Sequence, residues 1–237
     1  MKKTSLLILF ILSISLGYAQ STTDFFSKSD TFFKTHVKNG RVAYKAIKED
    51  PAALNELLAM SKSISVTKEN AAEYQAFWIN GYNLLVIDGI VKNYPIKSPL
   101  DKPGFFDKNK NEIGGTSITL NDIENKLLRK NFPKEPRFHF VLVCGGLGCP
   151  PIISEAYIPS TLDAQLEKQT KLALNDAKFI QVNNNKVKIS QIFEWYKSDF
   201  EHEGKVVDFI NKYKSEQLPE KAKVSYYPYD WTLNEAK

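Results

Sequence analysis

The sequence has little of what most metal and cofactor sites are built from. It contains only two cysteines and three histidines in 237 residues, enough for one site at most. It has no phosphate-binding loop, dinucleotide-binding glycine pattern, HExxH helix or zinc ribbon. These absences argue against nucleotide-dependent and zinc-dependent enzymes, so we expect no cofactor and no metal ion.

A strong surplus of one charge is also missing. The chain has 32 basic and 27 acidic residues, a formal net charge of +5, and the lysines are spread evenly along it. Such a balance does not favour nucleic acid or an anionic membrane as a partner. Beyond the N-terminal stretch no apolar run approaches membrane-spanning length. We therefore expect no nucleic-acid partner and no membrane insertion of the processed chain.

The first nineteen residues have the features of a signal peptide. Two lysines precede the apolar run Leu6–Leu16, which is too short to span a membrane stably. Gly17 and Ala19 then supply the small residues that precede a signal-peptide cleavage site. The residue directly after this site is Gln20 and not a lipid-carrying cysteine. We expect residues 1–19 to be removed and residues 20–237 to form one domain, exported to the periplasm or secreted.

The residues that could carry chemistry are concentrated in residues 136–151, PRFHFVLVCGGLGCPP. The alternation of bulky apolar and β-branched residues over Phe138–Val143 predicts a short, buried strand. A glycine-rich turn follows between Cys144 and Cys149, and two prolines then prevent continuation as a central strand. Both cysteines and His139 therefore lie within eleven positions.

This stretch and two others resemble a known family. The histidine followed by Cys-Gly-x-x-x-Cys-Pro-Pro, the segment AFWINGYN at Ala76–Asn83 and the segment YDWTLN at Tyr229–Asn234 resemble the domain of unknown function 547 (DUF547) family. The resemblance implies a single DUF547-like domain over most of the chain after about residue 40. It implies no particular reaction, because the family name records none.

The pattern of apolar residues predicts an α+β fold. The longest predicted helix runs from about residue 68 to 93 and is apolar almost all round, which is typical of a buried helix. A hairpin is predicted around Asn183–Asn185, and many helices should pack on a small, mostly antiparallel sheet. A long apolar helix beside a sheet with cysteine and histidine is similar in layout to papain-like and transglutaminase-like hydrolases.

Polar residues interrupt the long helix on one stripe. Glu73, Asn80 and Asn83 fall at intervals of seven and three, so they share one face. The asparagines either bind the backbone of neighbouring loops or line a cavity. We favour the first interpretation, because buried polar groups are usually satisfied structural ones.

The cysteines have two interpretations. In an oxidising compartment Cys144 and Cys149 would form a disulfide that fixes the glycine-rich loop. Alternatively, one cysteine is a nucleophile. Cys144 should be inert at the end of a buried strand, so Cys149 is the better candidate, with His139 as its base. Asp230 or Asn80 would orient the imidazole, as the third member of a catalytic triad does.

The leading hypothesis is a thiol-dependent hydrolase or acyl transferase that acts on a peptide-like or amide substrate. The competing hypothesis is a non-catalytic binding module with a disulfide-stapled loop and a pocket for a small molecule or peptide. The sequence indicates neither the substrate nor the oligomeric state. The candidate binding residues are Trp78, Asn83, Cys144 and Tyr229.

Overall fold

The computed structural model describes residues 22–236, so the predicted signal peptide lies outside the described residues. Helix α1 is described over residues 22–36, and the two pairs of phenylalanines spaced seven residues apart are buried on it. Four short elements follow. They are β1 (Val37–Lys38), β2 (Arg41–Val42), α2 (Tyr44–Glu49) and α3 (Ala52–Ser63).

Helix α4 (Ala71–Asn93) is the longest helix of the described residues, and it is buried on nearly every side, as predicted. Asn70 caps it by accepting a hydrogen bond from the backbone N–H of Glu73. The helix ends two residues before Pro95, whose ring cannot continue it.

A hairpin and an unusual helix follow. Strands β3 (Lys110–Ile113) and β4 (Thr116–Thr119) pair antiparallel. The hydroxyl of Thr119 then accepts the N–H of Asp122 and so caps α5 (Leu120–Asp122). This helix continues as a π-helical segment over Ile123–Arg129, a form that recurs at functional sites.

The C-terminal third contains the largest sheet. The predicted hairpin forms between β5 and β6, and β7 adds to β6 in parallel. Among residues 22–236, no helix is long and apolar enough to cross a membrane. The elements are α6 (Leu162–Asn175), β5 (Ile180–Asn183), β6 (Lys186–Ser190), α7 (Ile192–Trp195), α8 (Lys197–Phe200), α9 (Val206–Tyr213) and β7 (Lys223–Tyr227).

The predicted strand over Phe138–Val143 is wrong. Pro136–Phe140 is a 3₁₀-helix, with proline at its first position and the Glu135 carboxylate accepting the N–H of Arg137. Its alternation of apolar residues has another cause. Phe138 is buried among the residues around α4, and Phe140 is buried among those around β5 and β6.

Two hydrophobic clusters therefore support the fold, and both are formed by helices and small sheets. We call the cluster around α4, which includes Phe77, Phe138 and Val143, the first core. We call the cluster around β5 and β6, which includes Phe140 and Phe193, the second core. This mixed architecture confirms the α+β class, and the 3₁₀-helix that joins the two cores carries His139 between them.

Candidate functional site

Both cysteines lie in the wall of a cavity of about 460 Å³. That volume is in the usual range for small-molecule sites. Aromatic side chains form much of the remaining wall. The lining residues are Tyr82, Phe106, Asn121, Glu124, Asn125, His139, Leu142, Cys144, Cys149, Pro150, Ile192, Trp195, Tyr196, Tyr229 and Trp231.

The two asparagines of α4 hold the backbone near the cavity. The amide of Asn83 donates to the carbonyl of Val141 at 2.9 Å and accepts the N–H of Val143 at 2.9 Å. Asn80 makes the same pair of bonds with Tyr157, at 2.8 and 3.0 Å. Both side chains are buried, and neither lines the cavity. The favoured interpretation, that the asparagines bind loop backbone, fits these contacts.

The C-terminal segment holds the glycine-rich loop from the other side. The N–H of Leu147 donates to the carbonyl of Thr232 at 2.8 Å, and the N–H of Gly148 donates to the carbonyl of Asp230 at 2.7 Å. Glycine is needed at 148, because a Cβ there would lie 2.8 Å from the nitrogen of Asp230 and 2.9 Å from the ring of Tyr229. The position of the loop is thus fixed by backbone hydrogen bonds and close packing.

Cys144 and Cys149 are free thiols and are not at disulfide distance, so the disulfide of the competing interpretation is absent from the structure. They share one hydroxyl instead. The hydroxyl of Tyr229 lies 2.9 Å from Sγ of Cys144 and donates to Sγ of Cys149 at 2.8 Å. The backbone N–H of Cys144 also donates to Sγ of Cys149 at 3.0 Å. Tyr229 therefore lies in the cavity wall beside both thiols.

The environment separates the pKa values of the two thiols. Burial alone would raise the pKa of Cys144, but hydrogen bonds from Cys149, Tyr229 and the N–H of Gly146 lower it below its ordinary value. Burial raises the pKa of Cys149, and its hydrogen bond to Cys144 raises it further. These directions are opposite to the expectation that Cys149 would be the reactive thiol and Cys144 the inert one.

His139 also lines the cavity, but it pairs with a carboxylate rather than with a thiol. Its Nε2 lies 2.9 Å from Oδ2 of Asp199, and its Nδ1 lies 3.9 Å from Oε1 of Glu124. Its ring stacks on that of Tyr196 at 4.0 Å between centroids. Within residues 22–236 His139 forms no hydrogen bond with either cysteine.

Asp199 fixes the orientation of the imidazole. Burial would raise the pKa of Asp199, but hydrogen bonds from His139 and Arg129 hold it well below its usual range, so the carboxylate is ionised. Arg129 binds it in bidentate fashion, at 2.6 and 2.8 Å. An ionised carboxylate accepts hydrogen bonds, so Nε2 of His139 carries a proton and Nδ1 is the nitrogen that faces Glu124.

Besides the two asparagines, two more of the residues expected at the site lie elsewhere. Asp230 is exposed, and its carboxylate accepts the N–H of Thr232 at 2.9 Å, so it does not orient His139. Trp78 is buried in the first core, where it packs against Tyr74 and Phe77. Neither residue lines the cavity that contains the thiols.

Sequence reasoning missed several residues of the site. Glu124, Tyr196 and Asp199 were not among the candidates, although they surround His139. Asp199 is 60 residues from His139 along the chain, and no spacing in the sequence links the two. Among the described residues, no group of three or more His, Cys, Asp or Glu side chains is placed to hold a metal ion.

Comparison with known families supports the resemblance for two of the three motifs, since the Tyr229–Asn234 motif lies outside the matched residues. The model of the family described as "Protein of unknown function, DUF547" matches residues 66–172. The match covers 107 of the 237 residues, so residues 66–172 are similar to the DUF547 family. The DUF547 match includes α4 and the Cys-Gly loop, whereas Tyr196, Asp199 and Tyr229 lie outside it. Comparison with curated proteins and with solved structures finds no match.

Proposed function

We propose that the protein is a thiol-dependent hydrolase or acyl transferase that acts on an amide or peptide-like substrate, with Cys144 as the nucleophile. One observation carries the proposal. Two free thiols share the hydroxyl of Tyr229 in the wall of a cavity large enough for a small substrate. A thiolate needs such donors in a buried site. The thiol of Cys149 and the N–H of Gly146 donate to Cys144, and the single proton of the Tyr229 hydroxyl lies within hydrogen-bond distance of either sulfur.

The two thiols have different roles in the proposed reaction. The Cys144 thiolate forms a bond with the carbonyl carbon, and the bond to the leaving group then breaks to give a thioester. The leaving nitrogen takes the proton of Cys149, whose raised pKa keeps it protonated at neutral pH. Water or an acceptor then attacks the thioester and returns a proton to Cys149. Cys144 leaves as the thiolate.

His139 is assigned a positioning role, since it does not touch either thiol. Asp199 holds its ring in one orientation, and stacking on Tyr196 fixes the ring plane. The imidazole therefore forms a fixed polar part of the cavity wall, beside the aromatic ring of Tyr196. Asp199 takes the place that Asp230 or Asn80 was expected to have.

Trapping the acyl intermediate tests the proposal. The processed protein, residues 20–237, is mixed with p-nitrophenyl acetate, and peptide mass spectrometry locates the acetyl group. We expect acetylation of Cys144 in the wild type and in Cys149→Ser, and none in Cys144→Ser. Steady-state hydrolysis should fall by about a thousandfold or more in Cys144→Ser. An acetyl group on Cys149, or on neither cysteine, would overturn the assignment.

A non-catalytic binding module remains the competing class, and one observation favours it. His139 is engaged by Asp199 and forms no hydrogen bond with either thiol within residues 22–236. Such a module would keep the cavity but would show no acyl adduct and no turnover. The acetylation experiment separates the two classes, since only the enzyme forms a thioester.

We also infer that the protein is exported, to the periplasm or outside the cell. The support is the sequence of residues 1–19, with its basic start, short apolar run and small residues before the cut. Sequencing of the N-terminus of protein recovered outside the cytoplasm should give Gln20 as the first residue. An exported protein that still begins at Met1 would contradict this.

A further inference from the structure

The mouth of the cavity is built from aromatic rings of the second half of the chain. Trp195 and Trp231 stack at 6.2 Å with 25° between their planes, and Tyr229 lies 4.8 Å from Trp231. Trp195 is 47% exposed, which is unusual for so large an apolar side chain. All three rings line the cavity, where they can contact a ligand.

The cavity is also free of cationic side chains from lysine or arginine. None of its lining residues is a lysine or an arginine, although the chain contains 32 of them. A second cavity, of about 370 Å³, is lined by Lys134, Arg137, Lys205 and Lys212, so the exclusion is specific to the cavity with the thiols.

One carboxylate lies in this aromatic wall. The side chain of Glu124 is 12% exposed. Its Oε1 lies 3.9 Å from Nδ1 of His139, and the carboxylate accepts a hydrogen bond from the hydroxyl of Tyr196. The guanidinium of Arg129, which lies over the ring of Tyr196 at 4.8 Å, is used by the bidentate pair with Asp199. A thiolate at Cys144 would add a second negative charge to the same cavity.

We propose that this cavity binds an organic ammonium group, held by the Glu124 carboxylate and the faces of the surrounding aromatic rings. A cation beside a desolvated ring is attracted to its π face, and tryptophan is the best ring for this. The inference rests on the proposed function where it names the substrate. That substrate is an amide or peptide-like compound with a protonated amine near the scissile carbonyl.

The test uses n-butylammonium and 1-butanol, a charged and a neutral probe of similar size. Binding to the wild-type protein is followed by tryptophan fluorescence, because Trp195 and Trp231 line the cavity. We expect n-butylammonium to bind about tenfold or more tightly than 1-butanol. Glu124→Gln should weaken binding of the cation about tenfold and leave that of the alcohol unchanged.

Two further variants make the result specific. Glu194→Gln removes an exposed carboxylate next to Trp195 but outside the cavity, so it should leave both affinities unchanged. Cys144→Ser should abolish acetylation, and it should weaken n-butylammonium binding less than Glu124→Gln does, because the Glu124 carboxylate stays in place. If the wild type forms no acyl adduct but still binds n-butylammonium, the enzyme proposal fails and the proposed ammonium site stands.

The inference itself fails if the two probes bind equally well, or if the alcohol binds more tightly. It also fails if n-butylammonium shows no saturable binding to the wild type, or if Glu194→Gln weakens binding as much as Glu124→Gln does. The comparison of the two probes uses the wild-type protein, so the test does not depend on the folding of any variant.

Discussion

The two hydrophobic cores contribute different things to the candidate site. The first core packs against Cys149, and the buried amide of Asn83 on α4 fixes the backbone next to Cys144. The region of the second core contributes side-chain tips: the hydroxyl of Tyr229, the carboxylate of Asp199 and the rings of Trp195 and Tyr196. The position of the thiols thus depends on one core, and their chemical environment depends on the other.

This difference explains why the site spans more of the chain than the family match does. The matched residues 66–172 contain both cysteines, His139 and Glu124. The groups that shift the pKa of Cys144 or orient His139 come partly from beyond residue 190, namely Tyr229 and Asp199. Changes in the first core should therefore affect stability most, and changes near the second core should affect reactivity most.

The largest loss of stability is expected for Asn83→Ala. It leaves the carbonyl of Val141 and the N–H of Val143 without partners in a buried place, at a cost of about 2–4 kcal/mol. Asn80→Ala should cost a similar amount, since it leaves Tyr157 unpaired. Denaturant unfolding measures both losses. Only Asn83→Ala should also change the alkylation rate of Cys144, and equal effects on that rate would contradict the separate roles.

The second-largest loss of stability is expected for Asp199→Asn, and this loss should depend on pH. The folded-state pKa of Asp199 is depressed, so its stabilisation is present above the unfolded pKa of about 4 and is lost as pH falls below it. We expect a loss of about 2–3 kcal/mol at pH 7, which shrinks in acid. Thermal unfolding from pH 7 to pH 2 measures it, with the exposed Glu203→Gln as control. A loss independent of pH would be inconsistent with an ionised Asp199.

Gly148→Ala tests the close packing between the loop and the C-terminal segment. The new Cβ would lie 2.8 Å from the nitrogen of Asp230, so we expect a loss of about 1–3 kcal/mol. Gly115→Ala is the control, since its Cβ would meet nothing within 4 Å and only its φ of +70° would be strained, at about 1 kcal/mol. Chemical denaturation compares them. A smaller loss at 148 than at 115 would mean that the loop adjusts.

The smallest effect on stability and the clearest effect on reactivity are expected for Tyr229→Phe. The change removes one hydrogen bond to the Cys144 sulfur, worth about 1 kcal/mol, so alkylation of Cys144 at neutral pH should slow about fivefold. Tyr227→Phe serves as control, because its hydroxyl donates to the carbonyl of Phe179, away from the thiols. If Cys144 is alkylated at the same rate in both variants, Tyr229 does not influence the reactivity of this thiol.

Local patterns predicted the parts of the fold that depend on neighbours in sequence. The apolar profile of α4 and the asparagine turn between β5 and β6 are such patterns, and both elements form as expected. The strand at Phe138–Val143 does not form, because two phenylalanines two residues apart enter different cores. A segment whose alternate side chains are buried in two different cores shows the same alternation of apolar residues as a β-strand.

The candidate site was predictable only where its residues are close in sequence. Cys144, Cys149 and His139 were found because one short segment contains them. Asp199 and Glu124 reach His139 through the packing of α8 and the π-helical segment, and no spacing in the sequence encodes that contact. The choice between Cys144 and Cys149 depends on hydrogen bonds to Tyr229, 80 or more residues away.

The most direct test of the central claim is the pH dependence of thiol alkylation in the native protein without reductant. Iodoacetamide labelling is followed at each cysteine by peptide mass spectrometry. We expect Cys144 to react first, with a midpoint below the ordinary thiol value of about 8.5, and Cys149 to react more slowly. Faster labelling of Cys149, or no labelling of either cysteine until reductant is added, would contradict the account.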